Sequence, residues 1–211
     1  MKTNPNKISI LIILLTFSGC INIKSPYTSP TYYRLIHQPL SKDKVATLSL
    51  NKNIFIKEFD ISTDLETSKI ALIQDDKIIK YFNYHHWSTP LNELLTEFTI
   101  NRISRYEFFK NGVANSLYSS NPDLVLECKV LDCAINNYKT IKKTNNVTLS
   151  LSITILIADK TNLTYLPILS RTYNKSQPTS NNSLETSIET ISVLLSNLID
   201  IFLVDIYNII E

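Results

Sequence analysis

The chain has 211 residues, 44% of them hydrophobic, which is enough for one domain with a core of its own. Its 21 basic residues exceed its 19 acidic residues by two, and both extra charges, Lys2 and Lys7, lie in the N-terminal segment. The rest of the chain is therefore neutral, which gives no electrostatic support for binding nucleic acid. Only two glycines occur, Gly19 and Gly112, so a glycine-rich phosphate-binding loop is excluded.

The N-terminal segment has the pattern of a bacterial lipoprotein signal. Two lysines precede an apolar run over residues 8–15, which is too short to span a bilayer comfortably. Phe17-Ser18-Gly19-Cys20 follows and resembles the lipobox, in which Leu is usual where this chain has Phe. We expect residues 1–19 to be a cleaved signal peptide and Cys20 to carry the lipid. The alternative is an ordinary secretory signal followed by a chance cysteine.

Lipoprotein maturation, which the lipobox resemblance implies, attaches several acyl chains to Cys20. Two or more chains hold a protein stably at a membrane, since each buried methylene contributes about 0.8 kcal/mol. Ile21 follows the cysteine, and in the sorting pattern of such lipoproteins a residue other than Asp favours the outer membrane. Residues 20–31 are then the lipidated N-terminus and a tether rich in Pro, Ser and Thr, which reaches at most about 35 Å.

Residues 32–211 are predicted to form one domain. Short β-rich segments at residues 32–35 and 54–61 come first. Residues 69–73 and 77–82 flank Gln74-Asp75-Asp76, a turn sequence, and predict a hairpin. Thr89 as the N-cap and Pro90 at the first helical position then predict a helix that ends near Ser104.

Three strands and a long helix complete the predicted domain. The strands cover residues 124–136, 147–157 and 167–175, and the second alternates apolar with hydroxyl side chains, which indicates one buried face. Residues 182–210 predict a helix capped by Asn182, in which Asp200 and Asp205 argue against a membrane span. This order of elements indicates an α+β fold, a single domain whose mostly antiparallel β-sheet has two main helices packed on one face.

The long helix carries apolar residues on most of its sides. Six of them lie outside the main apolar stripe: Val193, Leu194, Ile201, Leu203, Val204 and Ile206. A helix that is apolar on most sides is buried on most sides, so we predict that these residues contact a partner or a second copy of the chain. If the domain's own sheet covers the helix, we expect a monomer instead.

No group of residues argues for catalysis. His85 and His86 could hold a metal ion, but adjacent side chains diverge, so packing at a loop-to-helix junction with Trp87 as anchor is the preferred interpretation. Asp75-Asp76 is typical of a solvated turn. A periplasmic enzyme that uses His85, His86 and Asp75 is the least favoured hypothesis, and we expect no cofactor and no metal.

The remaining cysteines, Cys128 and Cys133, lie five residues apart on one predicted strand. Five residues of extended chain separate their α-carbons by about 16 Å, so a disulfide needs a sharp bulge between them. Two buried thiols are the favoured prediction.

Taken in order, these segments resemble the ABC-type transport auxiliary lipoproteins, the group that contains the paraquat-inducible protein C lipoprotein. The resemblance rests on the lipobox at Cys20 and on several segments: YYRL at 32–35, IFIKEFDIS at 54–62, the hairpin at 69–87 with the LLTEF helix, PDLVLECKVLDC at 122–133, the alternating strand and the C-terminal helix. The low glycine content departs from the family.

The resemblance implies an outer-membrane lipoprotein that faces the periplasm. Such a protein would dock an MCE-type ABC system for intermembrane lipid transport to the outer membrane and would have no chemistry of its own. The alternative is a structural or assembly lipoprotein of another envelope machine, for secretion or for lipopolysaccharide assembly.

Overall fold

A computed structural model describes residues 28–40, 44–75, 77–114, 121–137 and 144–211. The predicted signal peptide, Cys20, most of the predicted tether and Asp76 lie outside these ranges. The described ranges contain two α-helices, α1 (Leu91–Tyr106) and α2 (Leu184–Ile210). They also contain nine strands, namely β1 (Thr31–Tyr33), β2 (Ile54–Ile56), β3 (Asp60–Ile61), β4 (Lys69–Gln74), β5 (Ile78–Trp87), β6 (Val113–Ala114), β7 (Leu124–Asn137), β8 (Asn146–Asp159) and β9 (Thr164–Pro178).

The described strands form one mixed sheet built around β7. One edge of β7 pairs in parallel with β2, then β3, then β4, at successive positions along its length. Its other edge pairs antiparallel with β8, and β8 pairs antiparallel with β9. Beyond β4 lie β5, which is antiparallel to β4, and β1, which is parallel to β5. β6 pairs in parallel with β2.

The single α+β domain is confirmed, and its sheet is mixed rather than purely antiparallel: the long strands pair antiparallel, and three short strands pair in parallel with β7. The chain from β2 to β4 advances in the same direction as β7, so each short segment meets β7 in parallel. These pairings join residues about 70 positions apart, such as Ile54 with Leu124. The periodicity of a local segment carries no information about the direction of such a distant partner.

β8 has the two faces that its alternating sequence predicts. Its five core-facing side chains are at most 1% exposed: Val147, Leu149, Leu151, Ile153 and Ile155. The hydroxyl residues between them point to the opposite face of the sheet. α2 contacts both β8 and β9 and covers the apolar face.

Both helices begin one residue later than predicted. Ser183, not Asn182, caps α2, and its Oγ accepts a hydrogen bond of 3.1 Å from the amide of Thr186. At α1 the capping residue is Pro90, whose carbonyl accepts from the amide of Leu94 at 2.9 Å, and Thr89 makes no cap. At α2 the sequence cannot separate the two positions, because Ser and Asn are equally good N-cap residues, and at both helices the shift is a single residue.

A β-bulge between Val130 and Asp132 sets the direction of the two cysteines. On a regular strand, residues five apart point to opposite faces, but the extra residue at the bulge turns both Cys128 and Cys133 toward the core. Each side chain is buried and each thiol is free. The prediction of two buried thiols is confirmed.

Candidate functional site

The histidine pair lies at the end of β5 rather than in a loop. His85 Nδ1 is 2.9 Å from Tyr33 Oη, and His86 Nδ1 is 3.3 Å from Ser68 Oγ. Successive strand residues point to opposite faces, so the two rings do not converge. Among the described residues, no group of three His, Cys, Asp or Glu side chains could hold a metal ion. Trp87 is buried in the core, as predicted for a packing anchor.

The predicted hairpin is formed by β4 and β5, which pair antiparallel. Asp75 lies at its turn with a φ of 51°, a conformation that Asp adopts more readily than most residues. Its amide donates to the carbonyl of Asn137 at 3.2 Å. These contacts match the prediction of a turn residue at Asp75.

The chain that follows the predicted tether is fastened to the sheet and to α2. The carbonyl of Tyr33 accepts from the amide of Ser88 at 2.8 Å, and its hydroxyl donates to Glu185 at 3.1 Å. Three residues later, the amide of Ile36 donates to Ser192 Oγ at 3.0 Å. Hydrogen bonds from its own backbone amide and from Tyr33 lower the pKa of Glu185. These hydrogen bonds fasten the segment at Tyr33–Ile36 both to the end of β5 and to α2.

A buried ion pair joins α1 to α2. Arg102 Nε donates to Asp200 Oδ1 at 2.9 Å, and Nη2 donates to Asp200 Oδ2 at 2.7 Å. The two side chains are 3% and 16% exposed. The guanidinium also donates to Tyr106 Oη at 3.1 Å and to the carbonyl of Gln38 at 3.4 Å. This network ties both helices to the segment that follows β1.

The second acid of the long helix, Asp205, binds the sheet. Arg171 Nη1 and Tyr173 Oη donate to Asp205 Oδ2 at 2.6 Å and 2.8 Å. Burial and the nearby carboxylate raise the pKa of Tyr173. Among the described residues, α2 is the one helix long and apolar enough to cross a membrane by length and composition. Its two acids, however, fasten it to the rest of the domain, and α2 packs as a core helix.

The six residues predicted to contact a partner divide into two groups. Three are at most 2% exposed and belong to the core: Leu194, Leu203 and Ile206. They are not available to a partner, because α2 lies against the sheet on one side and against α1 on another. Of the other three, Ile201 is exposed, whereas Val193 and Val204 are half-buried. Contact with a partner stays a prediction for these three.

An apolar surface that the sequence analysis missed lies at the turn between β8 and β9. We call residues 159–166 the hairpin tip. Leu163 is 90% exposed with a φ of 54°, and Tyr165 and Leu166 are also exposed. The signal in the sequence is an apolar run that starts directly after the turn residues Thr161 and Asn162. A cleft of about 500 Å³ lies beside Leu163 and is lined in part by Pro122, Ala158 and Tyr165.

Hydrogen bonds hold the hairpin tip in place. The Asp159 carboxylate accepts from the amide of Thr161 at 2.9 Å and from Asn162 Nδ2 at 2.8 Å. These hydrogen bonds lower the pKa of Asp159. Tyr165 Oη donates to the carbonyl of Pro122 at 3.2 Å. The exposed apolar side chains are therefore presented by an ordered turn.

No protein-family model matches the chain, and no curated protein matches it. The fold is similar to that of the protein XCC0632 from Xanthomonas campestris, of the family DUF330, with a TM-score of 0.71 at 12% identity over 84% of this chain and 95% of that one. It is also similar to the protein CT253 from Chlamydia trachomatis, with a TM-score of 0.51 at 7% identity over 76% of this chain and 98% of that one. At these identities the similarity concerns the fold alone.

Proposed function

We propose that this chain is a periplasmic lipoprotein anchored in the outer membrane, and that it is a non-catalytic auxiliary component of an MCE-type ABC system for intermembrane lipid transport. In this role the lipid on Cys20 holds the domain at the membrane, and the domain docks the transport assembly. The observation that carries the proposal is that the described chain enters β1 from one end of the sheet, whereas the exposed hairpin tip lies at the other end.

The direction of β1 supports this arrangement. β1 is parallel to β5, β5 is antiparallel to β4, and β4 is parallel to β7, so β1 runs antiparallel to β7. The chain therefore reaches β1 from the end of the sheet where β7 finishes. The contact between the Tyr33 hydroxyl and Glu185 lies at the same end, since Glu185 is in the first turn of α2, just after β9 finishes.

The hairpin tip lies at the end where β7 begins. Lys160 Nζ is 3.3 Å from Asp123 Oδ1, directly before the first residue of β7. The 14 residues of β7 span about 46 Å at 3.3 Å per residue. Because the described chain enters β1 from the far end, the proposed anchor leaves the hairpin tip facing away from the membrane and toward the periplasm.

This geometry favours a docking role. A tether of at most about 35 Å keeps the domain near the membrane, while its free end is available to a second protein. The hydrogen bonds of Tyr33 and Ile36 to α2 let the domain bear a load between the two ends. A structural or assembly lipoprotein of a secretion or lipopolysaccharide machine needs the same arrangement, so the identity of the partner decides between the two functions.

The test is purification of the full-length tagged protein from detergent-solubilised membranes, with its companions quantified by mass spectrometry. The matched control is the same tag on residues 1–31, which keeps the predicted anchor and lacks the domain. We expect an MCE-type protein to be enriched with the full chain and not with the control. Enrichment of a secretion or lipopolysaccharide-assembly component in its place would overturn the transport role.

A further inference from the structure

We infer that the hairpin tip is the docking surface of the domain, and that Leu163, flanked by Tyr165 and Leu166, inserts into an apolar socket on a periplasmic protein. The inference rests on the proposed function for the direction in which the tip faces. Its local basis is independent of that function and lies in the conformation, exposure and charge of the tip.

Leu163 closes the loop between β8 and β9 in a conformation that is costly for a leucine. Its φ of 54° is in the left-handed region, which Gly and Asn adopt at little cost and Leu does not. The side chain is 90% exposed, so no burial within the domain offsets the strain. A strained residue whose side chain has no use in the fold points to a use outside it.

The tip is ordered in advance of binding. The Asp159 carboxylate holds the amide of Thr161 and the side chain of Asn162, and Tyr165 is tied to Pro122 at the base of the hairpin. A preorganised apolar anchor loses little conformational entropy when it binds. Tyr165, which flanks Leu163, belongs to a residue type that is enriched at the centres of protein interfaces.

The charges at the tip indicate a protein socket rather than a lipid surface. Between residues 121–123 and 158–166 the charged side chains are Asp123, Asp159 and Lys160, and the lysine is paired with Asp123. A surface with one net negative charge and no free cation is not attracted to anionic lipid. It fits a socket that is apolar at its centre and carries basic or amide donors at its rim.

The experiment places a photo-crosslinking amino acid at position 163 in the full chain in living cells. The matched control places it at position 78, because Ile78 is also an exposed apolar residue beside a hairpin turn but lies at the other end of the domain. We expect position 163 to crosslink to one protein, which mass spectrometry identifies, and position 78 not to do so. The identified protein is then purified to measure its affinity.

Affinity is compared for the unchanged chain, Leu163→Asn and Ile78→Asn. Removing the buried leucine from the interface should weaken binding by about 10- to 100-fold, while Ile78→Asn stays within about twofold. Asn suits the left-handed conformation, so Leu163→Asn keeps the fold, which a thermal melt checks. Equal affinities for the unchanged chain and Leu163→Asn would overturn the inference.

The outcomes separate this inference from the proposed function. A crosslink to an MCE-type protein whose affinity depends on Leu163 supports both. The same dependence for a different protein supports the docking surface and overturns the transport role. Crosslinks to lipid alone, or to a second copy of the chain, overturn the inference. Copurification of an MCE-type protein that Leu163→Asn does not diminish overturns it as well and leaves the proposed function standing.

Discussion

Replacing Asp200 with Asn should strongly destabilise the domain, because it leaves the buried guanidinium of Arg102 without its counter-charge. The two side chains are only 3% and 16% exposed and share two short hydrogen bonds. Asn has nearly the same shape as Asp, so the substitution removes the charge with little change in packing. Tyr106 Oη and the carbonyl of Gln38 remain as partners but carry no full negative charge.

Removing one partner of a buried ion pair costs about 3–5 kcal/mol in free energy of unfolding. For a domain of this size each kcal/mol lowers the melting temperature by about 2–4 °C, so we expect a decrease of about 6–20 °C. Because Arg102 links α1, α2 and the segment after β1, the loss should appear as one cooperative transition at lower denaturant concentration.

The measurement is urea unfolding of residues 28–211 followed by circular dichroism, with Asp205→Asn as the matched control on the same helix. Arg171, the ionic partner of Asp205, is 57% exposed, and Asn can still accept from Tyr173, so this control should cost less than about 1 kcal/mol. The double substitution Arg102→Met with Asp200→Leu should recover most of the loss. Equal costs for Asp200→Asn and Asp205→Asn would refute the reasoning.

Three further predictions concern the strained turn, the thiols and the response to pH. Leu163→Asn should raise the free energy of unfolding by up to about 1 kcal/mol, because it relieves the left-handed strain, and a decrease in urea titrations would contradict this. Burial raises the pKa of Cys133 to about 12 and raises that of Cys128 as well, so both thiols should react with Ellman's reagent at pH 8 far more slowly in the folded protein than in urea. Fast reaction of either thiol in the folded protein would show that it is accessible. Burial, followed by the charge of Arg105, lowers the pKa of His37. Below about pH 6.5 the unfolded chain therefore binds a proton at His37 that the folded chain does not bind. The free energy of unfolding should fall as the pH drops from about 6.5 toward the lowered pKa. His37→Asn should remove this part of the decrease, and unchanged pH profiles would contradict the prediction.

The elements that could be predicted from the sequence are those with strong local patterns. β8 was expected at residues 147–157 because every second residue is apolar, and the observed strand extends that range by a few residues. α2 was expected within two residues of its observed ends for the same kind of reason. In both elements, the spacing of apolar residues within the segment predicts which face is buried, and this holds for any packing partner.

The features that could not be predicted depend on distant parts of the chain. The parallel pairing of Ile54 with Leu124 joins segments whose separate patterns do not encode a direction. The bulge that turns both cysteines inward depends on how β8 pairs with β7. The burial of Leu194 and Leu203 became visible only once α1 and the sheet were in place around α2. The periodicity of a segment predicts which faces of a helix are apolar, but it does not predict which elements pack against them.

The candidate site shows the same division. The prediction of a lipid at Cys20 rests on a linear signal, because processing enzymes read sequence rather than fold, and Cys20 lies outside the described residues. The hairpin tip required the structure, since a leucine after a turn is ordinary in sequence, and only its φ and its exposure set Leu163 apart. That the hairpin tip and the incoming chain lie at opposite ends of the sheet became clear from the directions of β1, β5, β4 and β7.

The lipid on Cys20 is the central claim of the account, since it fixes the compartment and the orientation of the domain. The direct measurement is metabolic labelling of cells with an alkyne analogue of palmitate, followed by separation of soluble, inner-membrane and outer-membrane fractions. The account predicts that the full chain is labelled and found in the outer-membrane fraction, and that Cys20→Ala is unlabelled and absent from it. An unlabelled full chain, released into the soluble periplasmic fraction after signal cleavage, would contradict the account.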